Sequence, residues 1–250
     1  MASRALARRL FAEFLGTGLL VAAVVGSGIM ASRLSPGQVG LELFENAAAT
    51  AGALIALILC FGPVSGAHFN PLVTLADTFF GGMTPGEAAA YIPAQIAGGI
   101  AGAWVANAMF GLATFELSTK VRSSGPLWGS EVVATFGLLL VIFGVVRSGR
   151  AGLAPFAVGA YIGAAYFFTS STSFANPAVT IARMFSNTFA GIAPSSVPAF
   201  VVFQCVGAVL AIAAIWVLYP HVTDSAADIV VPHPAETSER ISADATQVRP

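Results

Sequence analysis

The sequence predicts an all-α membrane protein: six transmembrane helices and two re-entrant half-helices, arranged as an inverted repeat. Three observations carry this. Of 250 residues, 56% are hydrophobic and only 9% are charged, against about 25% charged in a soluble domain, so most of the surface must face something other than water. Six stretches reach the roughly 20 mostly apolar residues that cross a bilayer: 10–31, 43–61, 85–110, 129–146, 153–169 and 197–219. Two apolar stretches of about half that length, 70–80 and 176–185, lie between spans.

Arg4, Arg8 and Arg9 precede the first stretch, a pattern shared by signal peptides and first spans. This stretch is too long for a signal-peptide core and contains Glu13, so it is read as a span. Each short stretch opens with Asn-Pro, at Asn70-Pro71 and Asn176-Pro177. Asparagine caps a helix well and proline fits its first position. Each therefore reads as a half-helix that enters the membrane and turns back, which is tolerated only where backbone lines a cavity or is buried in protein. With the N-terminus inside, Arg4, Arg8, Arg9, Arg147 and Arg150 lie on the cytoplasmic side and Arg33, Lys120 and Arg122 outside, the expected bias. The spans belong to one domain, 1–219. From Pro220 onward Pro, Ser, Thr, Asp and Glu dominate, and 220–250 is expected to be a disordered cytoplasmic tail.

The two halves repeat, about 10–110 against about 129–219. The stretch at 12–18, with Glu13, resembles 130–136, with Glu131; 70–77 resembles 176–183; Gln95 follows Asn70 by 25 residues and Gln204 follows Asn176 by 28. An odd number of spans per repeat forces opposite insertion of the halves, an architecture shared by channels and transporters. The half-helix N-termini should then meet near the midplane at Asn70 and Asn176, each end worth roughly half a positive charge. The asparagine amides can cap backbone and still offer an N–H to a lumen.

Cys60 and Cys205 sit in apolar runs and read as small buried hydrophobes. No metal site, cofactor or disulfide framework is expected. The chain has no Gly-rich phosphate loop and no His or Cys cluster, which argues against an enzyme, and a net charge of −1 gives no basic surface for nucleic acid.

The chain resembles the major intrinsic protein family, the aquaporins and aquaglyceroporins, from about Glu13 to Tyr219. The motifs that carry the likeness are Ser65-Gly66-Ala67-His68-Phe69-Asn70-Pro71 and Ser173-Phe174-Ala175-Asn176-Pro177-Ala178. The resemblance implies a passive channel for small uncharged solutes, one pore per subunit, a homotetramer in the lipid bilayer, and here a bacterial inner membrane with both termini cytoplasmic. It makes Glu13 and Glu131 braces of the half-helix loops and places His68 near the cytoplasmic constriction; Gln95 and Gln204 are expected to pack between the halves. Two departures bear on solute. Leu72 stands where the first motif usually has Ala, adding bulk where the half-helices touch. Val179 stands where water-selective members carry the filter arginine, and Arg183 lies one turn further along, nearer the outer vestibule. Spacing puts Thr50 where water channels have a bulky aromatic. The fifth span offers Tyr166 or Ala164, with Tyr166 preferred because loops absorb length changes, and the loop offers Ser173 or Phe174. A filter of Thr50, Tyr166, Phe174 and Val179 is wider and less charged than a strict water filter. Glycerol, urea-sized polyols and neutral metalloid hydroxides such as arsenite are the candidate solutes. A strict water channel, a secondary transporter and a non-conducting junction protein are the alternatives; the transporter lacks a coupling carboxylate other than the two braces.

Overall fold

Hydrocarbon offers backbone groups no partner, so a chain this apolar must satisfy its hydrogen bonds within helices. The computed structural model describes residues 2–219, and the expected tail at 220–250 lies outside them. The helices are α1 Ala2–Leu34, α2 Val39–Ser65, α3 Pro71–Phe79, α4 Pro85–Met109, α5 Gly125–Arg147, α6 Ala154–Phe168, α7 Pro177–Arg183 and α8 Val197–Leu218. Among the described residues six helices are long and apolar enough to cross a membrane, and α3 and α7 are the two half-helices. The face that carries the start of α1 is called the near side below, and the opposite face the far side.

The helix boundaries follow local chemistry. The Thr84 hydroxyl accepts from Glu87 N–H while the Glu87 carboxylate accepts from Thr84 N–H, a capping box that starts α4. Ser124 caps α5 through Leu127 N–H. Gly66, at φ 87°, ends α2 in a left-handed cap bonded to the Gly62 carbonyl, a conformation glycine reaches without strain. Several helices run past the predicted spans, because polar ends extend beyond the hydrocarbon: α1 begins eight residues before position 10.

The helices pack as two three-helix halves, α1, α2 and α4 against α5, α6 and α8, with α7 lodged against α4 of the first half and α3 touching α8 of the second. Close approach comes from glycine. A Cβ at Gly98 would overlap the Phe14 carbonyl oxygen, and one at Gly102 the Gly18 carbonyl oxygen. On the other half, Gly207 sits against the backbone of Val132. Small residues at such crossings let membrane helices gain contact where lipid supplies no hydrophobic drive. The outward faces carry Phe11, Leu59, Val105, Val133, Val209 and Trp216, all exposed. Cys60 and Cys205 also lie on this outer surface, not in the core, because in a membrane protein the outside is apolar too.

Gly102→Ala should destabilise the α1–α4 crossing by about 1–3 kcal/mol, the usual cost of overpacking. Gly52→Ala, whose Cβ meets nothing within 4 Å, should not. Thermal unfolding in detergent measures both, and equal midpoints for the two variants would show that the crossing is loose.

Candidate functional site: a lumen between two half-helices

Each half-helix is started by its asparagine. Asn70 Oδ1 accepts from Leu72 N–H (2.9 Å), and Asn176 Oδ1 from Ala178 and Val179 N–H (2.9 and 3.3 Å). Pro71 and Pro177 occupy the first turns, where no N–H is needed. The side chains also cross between halves. Asn70 Nδ2 donates to the Ala175 carbonyl (2.8 Å), and Asn176 Nδ2 donates to the Phe69 carbonyl (2.7 Å). One amide hydrogen of each is thus committed to the opposite loop, and the second remains for the lumen.

The loops that feed the half-helices are strained in the same places. Ala67 and Phe69 in the first, and Thr172, Ser173 and Ala175 in the second, have φ between 47° and 65°, each costing about 1–3 kcal/mol unless held by its surroundings. Buried glutamates hold them. Glu13 accepts from Ser65 Oγ (2.6 Å), from His68 and Phe69 N–H (3.0 and 2.8 Å) and from Gln95 Nε2 (2.8 Å). Glu131 accepts from Phe174 and Ala175 N–H (3.0 and 2.9 Å) and from Gln204 Nε2 (2.6 Å). Gln95 also donates to Thr74 Oγ1 (2.9 Å) and Gln204 to Thr180 Oγ1 (2.8 Å), while both threonines donate to the asparagine carbonyls. Both glutamines make their hydrogen bonds within their own half. Each ties its own glutamate to its own half-helix, because the threonine one turn into that half-helix lies within reach.

Between the halves lies a cavity of about 70 Å³, well above what a single water requires. Asn70 and Asn176 line its middle. Thr50, Tyr166, Phe174, Val179, Ser173 and Arg183 line the far end; Thr50 Oγ1 and the Tyr166 hydroxyl stand 3.1 Å apart. Ala164 is exposed on the outside of α6. His68 and Ala67 belong to the near end, with Ile58. Aliphatic groups from α1, α2, α5 and α6, among them Val24, Leu54, Leu138 and Ile162, form the rest of the wall. Leu72 is buried in the core and is not on this wall.

Arg183 is 98% buried by surface area and both lines the cavity and braces a loop. Its guanidinium lies 3.5 Å from the Phe174 ring centroid, and its Nε donates to the Ala190 carbonyl. Arg122, which the sequence did not single out, lies 5.2 Å from the same ring and donates to the Gly191 carbonyl (2.9 Å). Lys120 donates to the Phe189 carbonyl (2.8 Å). Burial, then the charges of Arg122 and Arg183, push the Lys120 amine down to about 8. The far end is thus cationic, with its cations clamped to carbonyls and an aromatic ring.

An all-helical bundle with a lumen running past two half-helices, joined by crossed asparagine bonds, defines a pore protein rather than a catalyst. The comparisons name the kind. A model of the major intrinsic proteins matches residues 1–175. Aquaglyceroporin AqpS of Rhizobium meliloti (strain 1021) is 51% identical over 216 residues, 86% of this chain and 92% of that one. The glycerol uptake facilitator protein of Streptococcus pneumoniae (strain ATCC BAA-255 / R6) is 31% identical over 173 residues, 61% of this chain and 71% of that one. The X-ray structure of the aquaglyceroporin from Plasmodium falciparum shares the fold at a TM-score of 0.66 with 21% identity, over 87% of this chain and 98% of that one. The chain belongs to the major intrinsic protein family. It is an integral membrane protein and a passive channel, not an enzyme.

Glu13→Gln or Glu131→Gln replaces an acceptor of several N–H groups by an amide that turns one oxygen into a donor. Each should destabilise the protein by at least the value of one charged hydrogen bond, about 1.5–3 kcal/mol, seen as lower yield and melting temperature, with flux per channel little changed. Normal stability with abolished flux would place that carboxylate in conduction instead.

Proposed function

We propose that the channel passes neutral solutes larger than water, with glycerol-sized polyols foremost and neutral metalloid hydroxides such as arsenite as a second class. The observation that carries this is the pair Thr50 and Val179 at the far end of the lumen. A small hydroxyl and an aliphatic side chain stand there in place of an aromatic ring and an arginine. A polyol has a hydrocarbon edge and a hydroxyl edge. The wall offers aliphatic groups to the first, and Thr50, Tyr166, Asn70 and Asn176 to the second, so the solute exchanges its hydration for fixed partners. Two relatives are named for glycerol or as aquaglyceroporins, which supports the same class; the metalloid option rests on analogy.

In this reading Asn70, Pro71, Leu72, Asn176, Pro177 and Ala178 form the paired motifs, and Thr50, Tyr166, Phe174 and Val179 the filter. Glu13, Glu131, Gln95 and Gln204 brace the loops, and His68 and Arg183 face the two mouths. Residues 1–219 form one channel domain. The exposed apolar faces suit lipid and neighbouring copies in a homotetramer. The near side is the cytoplasmic side, on the positive-inside argument, in a bacterial plasma membrane.

Stopped-flow light scattering on proteoliposomes tests the filter. Thr50→Phe with Val179→Arg should reduce glycerol flux about tenfold more than water flux, the effect of about 1.4 kcal/mol on one barrier. A native protein that passes water but neither glycerol nor arsenite would make this a strict water channel and sink the wide-filter reading.

A further inference from the structure

The inverted repeat pairs the residue two before each asparagine with the residue seven after it. In the second half these are Phe174 and Arg183, stacked at the far end. In the first half they are His68 and Asp77, and the His68 Nε2 lies 3.7 Å from Asp77 Oδ2, an ion-pair distance. The two mouths thus carry equivalent pairs of opposite charge type. His68 lines the cavity, Asp77 is buried behind it, and Asp77 Oδ1 has no hydrogen-bond partner.

The hydrogen bonds around Thr74 accommodate one histidine tautomer in particular, which the proposal adopts. Thr74 Oγ1 accepts from Gln95 Nε2, and its own hydrogen is assigned to the Asn70 carbonyl, as that of Thr180 is to the Asn176 carbonyl in the other half. With that assignment the remaining contact of Thr74 Oγ1, 3.1 Å to His68 Nδ1, takes Nδ1 as the donor. Nε2 then faces the Asp77 carboxylate. Without a second proton a lone pair would confront a buried carboxylate, an arrangement that burial makes costly. We propose that His68 and Asp77 hold one proton between them as a pH-sensitive element in the wall of the near mouth, with Asp77 the residue that positions the ring. The role in flux rests on reading the cavity as the conducting lumen. Losing the shared proton in alkaline conditions removes the attraction between ring and carboxylate, and the open direction for the ring is the lumen it already lines.

The surroundings permit such titration. Burial weighs most on Asp77, and Arg9 on α1 and Glu87 on α4 act on it with opposite sign; these two are themselves paired at 2.6 Å. The Tyr91 ring on α4 packs 5.7 Å from the His68 ring. Glu13 on α1 holds the His68 N–H and three further donors. Of the other helices that touch α3, α8 carries no acidic or basic residue, and the Arg183 of α7 lines the opposite mouth.

The test uses full-length protein in which His221→Gln and His233→Gln leave His68 as the one histidine. Nitrogen NMR of the imidazole in liposomes should find Nδ1 protonated throughout and Nε2 titrating. Asp77→Asn should lower that midpoint by about one pH unit or more, the size of an opposite-charge effect at this distance. Glycerol flux in the same liposomes should fall across the native midpoint. Asp77→Asn should lose that alkaline fall, since an asparagine amide donates to Nε2 without a shared proton. An unprotonated Nδ1, or an unchanged midpoint in Asp77→Asn, overturns the proton sharing. A native flux that ignores the midpoint, or an alkaline fall retained in Asp77→Asn, overturns the gating role. Absence of any glycerol flux would instead count against the proposed solute class, while the NMR arm still decides the proton.

Discussion

Everything in this structure depends on holding irregular backbone inside a layer that has no water to satisfy it. A half-helix can exist at membrane depth only if the chain leading into it is paired off, and here two buried carboxylates do that. Glu13 and Glu131 each gather two backbone N–H groups of an otherwise strained loop, and a glutamine N–H each. A buried carboxylate that would be expensive when bare becomes tolerable when three or four donors surround it. The glutamines then reach the half-helix threonines, so loop, brace and half-helix are joined in one hydrogen-bonded unit. The crossed asparagine bonds join the two units at the centre. The lumen is what remains between them.

That arrangement explains why one wall is polar and the rest aliphatic. The polar stripe comes from the loops and asparagines, whose conformation the braces dictate, with Thr50 and Tyr166 added from α2 and α6. The aliphatic wall comes from ordinary span residues such as Leu54 and Ile162. With Val179 at the far end, the fixed cations sit in a different place. Arg183 and Arg122 clasp Phe174 and loop carbonyls, so charge remains at that end of the lumen although residue 179 carries none.

Length, apolarity and the repeated Asn-Pro made the six spans and two half-helices legible, because these features are set locally by capping and by bilayer thickness. Matching of the repeats also brought out the glutamates. What escaped depends on contacts between elements. Cys60 and Cys205 read as buried because apolar runs hide which face meets lipid. The hydrogen bonds of Gln95 and Gln204 to Thr74 and Thr180 escaped because sequence spacing from the asparagines says nothing about reach. Arg122 lay in a loop with no repeat partner to flag it. The Asp77 and Arg183 pair was visible in the aligned repeats as matched positions of opposite charge, but only the fold brought Asp77 to His68.

A lumen proposed to pass neutral solutes must also exclude inorganic cations, here with Val179 in place of a filter arginine. Stripping an ion of its water in an apolar medium costs tens of kcal/mol on a Born estimate, far more than one fixed charge contributes at lumen dielectric. The half-helix N-termini, together roughly one positive charge, and the asparagine amides face an ion in the lumen. Planar-bilayer recording under a potassium gradient measures this directly. The account predicts negligible sodium and potassium conductance in the native protein, with measurable leakage once Asn70 and Asn176 are both replaced by Asp. Cation currents through the native channel would contradict it.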